Sequence, residues 1–122
     1  MCIRDSLEAG LTAAIADVVV NGAGAPRLPG TSNLAFAGLN AATLMMRLDL
    51  EGIAVSTGSA CASGVFEPSH VIAALGLDER YARGVVRFTL GRATTRAEVD
   101  RVISIVPAVA EGIRAFRTAA IR

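Results

Sequence analysis

The sequence predicts an α/β (α+β) protein of 122 residues in which short strands alternate with helices. Three observations predict this class: brief β-branched runs, apolar residues at helical spacing, and clusters of turn residues between them. Apolar residues make up 52% of the chain and charged residues only 19%, a balance that suggests a piece of something larger. No repeat or low-complexity tract divides the chain, so residues 1–122 are interpreted as one unit.

The first thirty residues contain a predicted helix, a predicted strand and a loop. Asp5 and Glu8 have capping-box spacing, so a short helix is expected to begin there. Val18–Val20 is a brief β-branched run and is expected to be a strand. The following segment, 21–30, is dense in glycine, proline and asparagine, and it is therefore expected to be a loop.

The next predicted elements are a strand, a helix and a strand. Residues 34–36 fit a second short strand. Asn40 is suited to cap a helix that runs through Leu50 and is closed by Gly52. Residues 53–56 are expected to form a third strand, which leads into a loop of small residues.

The second half of the chain contains two further predicted helices and one strand. Pro68 is suited to the first turn of a helix over 68–75. Residues 85–90 have the composition of a buried strand. Thr95 and Glu98 form a capping box at the start of a long helix, and Pro107 is expected to kink that helix. Arginines along it are interpreted as solvated: Arg101, Arg114 and Arg117.

Charge and composition exclude several classes of function. All 12 positive charges are arginine and none is lysine, which excludes a phosphate-loop lysine and a Schiff-base lysine within this chain. One histidine, His70, and two cysteines cannot complete an ordinary zinc site, so no metal site is expected. A net charge of +1 argues against nucleic-acid binding.

The sequence also indicates whether the chain spans a membrane and in which cellular compartment it lies. The longest uncharged run, 28–46, is interrupted by proline, glycine and asparagine, so no membrane span is expected. The chain does not open with a signal-peptide pattern, which favours the cytoplasm. Its two cysteines are therefore expected to be thiols, and Cys2 beside Met1 is interpreted as a terminal thiol without a role.

Cys61 is the candidate nucleophile. It lies between Gly58 and Gly64 in a segment of serine, threonine and alanine that has no large side chain to anchor it in a core. A thiol on such a loop suits a group that collects an atom at one place and delivers it at another. The alternative, a small inert residue in a turn, has equal weight on composition alone.

Arg87 and His70 are the other candidates. Arg87 stands alone in an apolar strand, where a charge is costly unless an acceptor meets it. Its guanidinium is suited to hold a substrate carboxylate, but a structural ion pair or a solvent-facing strand edge is the simpler interpretation. His70 lies near a predicted helix start and is interpreted as structural.

Four separated segments resemble a known family. In chain order they are LPGTSNLAF, GIAVSTGSACASG, EPSHVIAALGL and VVRFTLGRATTRAEVDRVI. Together they resemble the C-terminal part of the cysteine desulfurases, pyridoxal-phosphate enzymes of the aminotransferase class-V type that serve iron–sulfur cluster assembly. The resemblance implies the small C-terminal domain of a fold-type I pyridoxal-phosphate-dependent transferase, with helices packed on a small mixed sheet.

The resemblance also implies roles for individual residues. Cys61 corresponds to the thiol that takes sulfur from substrate L-cysteine and carries it as a persulfide, leaving L-alanine. Arg87 corresponds to the residue that holds the substrate carboxylate, and Asn33 is expected to line the substrate pocket. His70 lies in the matching segment EPSHVIAALGL, but the resemblance assigns it no step of the reaction. The resemblance also allows a transient contact between Cys61 and an iron–sulfur cluster.

The resemblance further implies a second domain, a dimer partner and a sulfur acceptor, none of which is supplied by this chain. The large domain that binds pyridoxal 5'-phosphate through a lysine has no counterpart in residues 1–122. A homodimer of the full-length parent is implied, with an iron–sulfur scaffold or another sulfur-acceptor protein as the recipient of sulfur. The chain alone is expected to be inactive. Two alternatives are a stand-alone cysteine-based sulfur carrier and a small binding module without catalysis.

Overall fold

A computed structural model describes residues 2–27, 29–57, 76 and 79–121, the side chains of 79 and 117–121 excepted. Helices and strands are interspersed along the chain, which confirms the predicted class. The helices are α1 (Ile3–Ala14), α2 (Ala41–Leu50), α3 (Glu79–Ala82) and α4 (Arg96–Ile121). The strands are β1 (Val18–Val20), β2 (Thr31–Phe36), β3 (Ser56–Thr57) and β4 (Val85–Thr89).

The described strands form a four-stranded sheet in the order β1-β2-β4-β3. Each of the three pairings is antiparallel, so the expectation of a mixed sheet is wrong for this part of the chain. The reason is topological. β1 and β2 form a hairpin around segment 21–30, and the α2 crossover leaves a gap between β2 and β3 that β4 fills in the opposite direction.

Two predicted caps are confirmed by hydrogen bonds. Asn40 Oδ1 accepts from the backbone N–H groups of Ala42 at 2.9 Å and Thr43 at 3.2 Å. Thr95 and Glu98 form the reciprocal capping box: Thr95 Oγ1 accepts from Glu98 N at 3.1 Å and Glu98 Oε1 accepts from Thr95 N at 2.9 Å. Local sequence therefore determines where the second and last helices begin.

The predicted first cap is wrong. α1 begins at Ile3, and its cap is Cys2, whose Sγ accepts from Asp5 N at 3.4 Å. The capping box fails because Glu8 is engaged elsewhere: its carboxylate accepts from Arg27 Nη1 at 2.6 Å and from Ser32 Oγ at 2.6 Å. Glu8 therefore ties α1 to β2 and to the segment between β1 and β2.

Other boundaries shift by a few residues. β2 is longer than predicted, and the third strand is limited to Ser56–Thr57. α4 continues through Pro107. The predicted helix 68–75 lies outside the described residues. Two arginines of α4 are not simply solvated as expected: Arg101 donates to Glu51 O at 2.6 Å, and Arg114 donates to Ala37 O at 2.8 Å and to Ala16 O at 2.9 Å.

The two faces of the sheet differ. One face, the helix-covered face, carries Leu34, Phe36, Val86 and Phe88, which pack in a core with α1, α2 and α4. Because side chains alternate along a strand, the intervening residues point the other way. On that opposite face Ala35 and Val85 form a small separate cluster with Ala37 and Tyr81. Within the described residues, no helix is both long and apolar enough to cross a membrane.

Candidate functional site

A line of polar residues crosses the sheet on the face opposite the main core. Asn33 pairs with Arg87, and Arg87 pairs with Ser56. The register of β1 and β2 extends by one step beyond Val20, where Asn21 N donates to Asn33 O at 2.9 Å. Directly paired residues point to the same side of a sheet. We call this line, Asn21–Asn33–Arg87–Ser56, the polar row.

Arg87 lies on β4, between β2 and β3. It is therefore not on a sheet edge facing solvent, which removes one of the simple interpretations of this residue. Its Nε atom is buried and has no hydrogen-bond partner among the described residues. A buried N–H of a cation without an acceptor is costly, so this atom is suited to meet a negatively charged ligand.

Asn33 lies beside Arg87 and has one end of its amide occupied. Asn21 Nδ2 donates to Asn33 Oδ1 at 2.6 Å. The Asn33 Nδ2 group is left as the donor end of that amide. Arg87 and Asn33 therefore place a guanidinium and an amide N–H side by side. This pair of donors suits an acceptor with two oxygens, such as a carboxylate.

The structure brings two of the three predicted site residues together, Asn33 and Arg87. Cys61, and also His70, lie outside the described residues. β3 nevertheless connects the candidate nucleophile to the polar row, because Ser56 pairs with Arg87 and is followed five residues later by Cys61. Five residues span at most about 18 Å, so covalent geometry limits the distance between the Cα atoms of Ser56 and Cys61.

Sequence reasoning missed two members of the polar row. Asn21 was assigned only to a loop, and Ser56 only to a strand. The signal that identifies them is strand register, which depends on residues distant in the chain. Given the register, the recurrence of polar side chains at paired positions would have identified both.

Comparison with protein families decides what kind of chain this is. Residues 3–102 match the family model described as "Aminotransferase class-V". This chain belongs to the aminotransferase class-V family. The match includes all four strands of the sheet and every residue of the polar row.

Named relatives of this class-V chain are cysteine desulfurases. The cysteine desulfurase of Trichormus azollae is 45% identical over 114 residues, which is 93% of this chain and 28% of that protein. The cysteine desulfurase NifS of Azotobacter vinelandii is 45% identical over 112 residues, 92% of this chain and 28% of the relative. The IscS-like cysteine desulfurase of Mycobacterium tuberculosis is 46% identical over 120 residues, which is 97% of this chain and 30% of that protein.

Solved structures share the fold. A NifS-like protein from Rickettsia africae superposes with a TM-score of 0.76 at 23% identity, over 89% of this chain and 27% of that one. A second NifS-like protein gives a TM-score of 0.73 at 28% identity, over 89% of this chain and 26% of that protein. The predicted α/β class, with helices packed on a small sheet, is confirmed. The class-V chain spans somewhat more than a quarter of the length of its matched relatives.

The class-V family implies pyridoxal phosphate, and the donor set of this chain does not fit its attachment. The cofactor is held in such enzymes by a lysine, and the 122 residues contain 12 arginines and no lysine. No group of three or more metal-binding side chains occurs in the part of the chain that the structure describes. The described part of the chain does place hydrogen-bond donors of Arg87 and Asn33 side by side, an arrangement suited to a carboxylate.

Proposed function

We propose that residues 1–122 are the small C-terminal domain of a cysteine desulfurase that converts L-cysteine to L-alanine and leaves a persulfide on Cys61. The observation that carries the proposal is the buried Arg87 Nε, which has no hydrogen-bond partner among the described residues. Arg87 holds the substrate carboxylate, with Asn33 beside it. The names of the 42–46% identical relatives support the choice of substrate.

The proposed reaction balances without an external oxidant. The Cβ–S bond of the substrate breaks, and an S–S bond forms between the released sulfur and Cys61. The two thiol hydrogens of the reactants end on the methyl group of alanine and on the outer sulfur of the persulfide. Cys61 is thus both nucleophile and sulfur carrier, and the sulfur is delivered for iron–sulfur cluster or thio-cofactor synthesis.

The remaining parts of the proposed enzyme lie beyond this chain. Pyridoxal 5'-phosphate, bound by a separate large domain of the full-length protein, supplies an electron sink for breaking the carbon–sulfur bond. We place the protein in the cytoplasm as a homodimer. An iron–sulfur scaffold or another sulfur-acceptor protein receives the sulfur, and neither nucleic acid nor membrane is a partner.

The role of Cys61 is tested by substitution in the full-length protein. Cys61→Ala is expected to abolish sulfide release from L-cysteine, because the acceptor of the sulfur is lost. The matched control is Cys2→Ala, which removes an exposed thiol that only caps α1 and should leave sulfide release unchanged. Undiminished release by Cys61→Ala would refute the assignment.

The role of Arg87 is tested by Arg87→Lys. Loss of a planar two-donor contact to a carboxylate is expected to lower kcat/KM for L-cysteine about 10- to 100-fold. The matched control, Arg92→Lys, alters an exposed arginine in the turn before α4 and should have no effect. Equal kcat/KM values for Arg87→Lys and the unaltered protein would remove Arg87 from the substrate site.

The 122-residue chain alone is expected neither to bind pyridoxal phosphate covalently nor to release sulfur from cysteine, because it contains no lysine. Absorbance of the cofactor and sulfide release measure the two properties. A stable persulfide on the purified, cofactor-free chain would favour the stand-alone sulfur carrier instead. A partner that binds equally well after Cys61→Ser would favour the binding module.

A further inference from the structure

The arrangement of Asn33 and Arg87 raises a question of charge pairing. The two residues are directly opposite each other on β2 and β4 and point to the same side of the sheet. An amide oxygen at this position could accept a hydrogen bond from the guanidinium. A hydrogen bond between them would occupy the group that the proposed function reserves for the substrate carboxylate.

Asn21 prevents that hydrogen bond. Its Nδ2 donates to Asn33 Oδ1 at 2.6 Å, so the acceptor end of the Asn33 amide faces Asn21, away from the Arg87 side. The buried Nε of Arg87 is accordingly left without a partner in the described structure. The two observations agree: the Asn33 oxygen, which could otherwise accept from Arg87, is bonded to Asn21 on the opposite side.

Asn21 is itself held firmly. It is 8% exposed, and its backbone N–H donates to Asn33 O at 2.9 Å. Gly22 follows in a left-handed conformation with φ of 74° and turns the chain away. With its backbone and its side chain both bonded to Asn33, Asn21 has little freedom to release the amide.

We propose that Asn21 is a positioning residue for substrate binding: it occupies the acceptor oxygen of Asn33, which leaves the Arg87 guanidinium free and directs Asn33 Nδ2 to the same carboxylate as a second donor. This inference rests on the proposed function. Asn21 does not touch the substrate in this arrangement and acts through Asn33.

The sharpest test is Asn21→Asp in the full-length protein, compared with Asn21→Ala. An aspartate only accepts, so Asn33 must turn its Nδ2 toward residue 21 and its oxygen toward Arg87. KM for L-cysteine is expected to rise about 10-fold, with kcat changed less than about 2-fold. Asn21→Ala leaves the amide free to rotate and should raise KM only about 2- to 3-fold.

A purely structural role predicts the reverse order, because alanine removes every side-chain contact while aspartate keeps the shape. KM effects of Asn21→Ala that equal or exceed those of Asn21→Asp would therefore overturn the inference. The matched control is Asn40→Asp, which makes the same charge change at a helix cap that aspartate also serves. It should leave KM unchanged.

A double-mutant cycle keeps the inference testable if Asn21→Asp does not fold. In an Asn33→Leu background there is no amide to orient, so adding Asn21→Ala should have no further effect on KM. An equal effect in both backgrounds would contradict the inference. Arg87→Lys separates the two proposals. If it raises KM while the Asn21 variants do not, only Asn21 is misassigned; if it too has no effect, the proposed function fails at Arg87.

Discussion

The two faces of the sheet are built from the same strands yet follow different rules. On the helix-covered face Leu34, Phe36 and Val86 are completely buried against helices of the same chain. On the other face the polar row includes Arg87, whose buried Nε lacks a partner in the described structure. Adjacent residues of one strand therefore have different roles: Val86 packs in the core, and Arg87 is the residue proposed to hold the substrate carboxylate.

The helix-covered face also contains polar residues, and they are satisfied. Ser32 is completely buried and donates to Glu8 Oε2 at 2.6 Å, and Arg27 completes the group with two hydrogen bonds to the Glu8 carboxylate. The difference between the faces is therefore not one of polarity. The difference is that Arg87 Nε on the polar-row face has no hydrogen-bond partner within the described residues, whereas Ser32 and Glu8 on the helix-covered face are paired with each other.

The largest expected effect is on the helix-covered face. Phe36→Ala removes a completely buried ring and should lower the free energy of unfolding by about 3–5 kcal/mol. Urea denaturation of the 122-residue chain measures it. A loss below about 1 kcal/mol would show that this face is not the stabilising one.

Ser32→Ala should have the next largest effect. The variant removes a buried hydroxyl that donates to the Glu8 carboxylate, and hydrogen bonds to charged groups contribute about 1.5–3 kcal/mol. Ser32→Thr, which keeps a hydroxyl, is a partial control. Equal urea midpoints for Ser32→Ala and the unaltered chain would mean that the Glu8 group does not stabilise the fold.

Arg87→Met should stabilise the fold, in contrast to the two preceding variants. It replaces a cation whose buried Nε lacks a partner in the described part of the chain with an apolar side chain, and the free energy of unfolding should rise by about 1 kcal/mol. The same substitution in the full-length protein should abolish tight cysteine binding. A loss of stability would indicate that Arg87 has a structural partner and would weaken the contrast between the faces.

Acid should act on the helix-covered face through Glu8. Burial raises the pKa of Glu8, but hydrogen bonds from Arg27 and Ser32 outweigh it and hold the pKa below the ordinary value of 4.5. The Glu8 carboxylate therefore contributes its full stabilisation of the folded state above pH 4.5. This stabilisation is lost as the pH falls through the lower pKa that Glu8 has in the folded state. Urea midpoints measured across this range should fall less steeply in Glu8→Gln than in the unaltered chain.

The smallest effect is expected at Val19, which is 37% exposed and pairs with Ala35 on the face of the polar row. Val19→Thr should change the free energy of unfolding by less than about 0.5 kcal/mol. The urea midpoint measures the change. A larger loss would mean that Val19 takes part in packing that its exposure does not suggest.

Local signals predicted the parts of the fold that local contacts determine. The caps at Asn40 and Thr95 need partners only two or three residues away, and both were predicted from sequence. The cap at Asp5 was wrong because Glu8 is drawn to Arg27 and Ser32, 19 and 24 residues distant. A capping motif and a long-range ion pair compete for the same carboxylate, and only the folded structure shows which prevails.

The candidate site divides in the same way. Arg87 was singled out from sequence because a charge in an apolar strand is unusual, and Asn33 because its segment resembles a family motif. Asn21 was missed because its significance lies in register with Asn33, not in its neighbours. The role of Cys61 stays a prediction, since this residue lies outside the described structure.

The order of strands has a consequence for how the site is assembled. β3 pairs only with β4 in the described sheet, and β4 follows it in the chain by almost thirty residues. During synthesis from the N-terminus, β1 and β2 can pair early, whereas β3 must wait until β4 inserts between it and β2. Such non-local pairing is slow. The strand that carries Arg87 therefore completes the described sheet and, in the same event, brings Asn33 and Ser56 to its two sides.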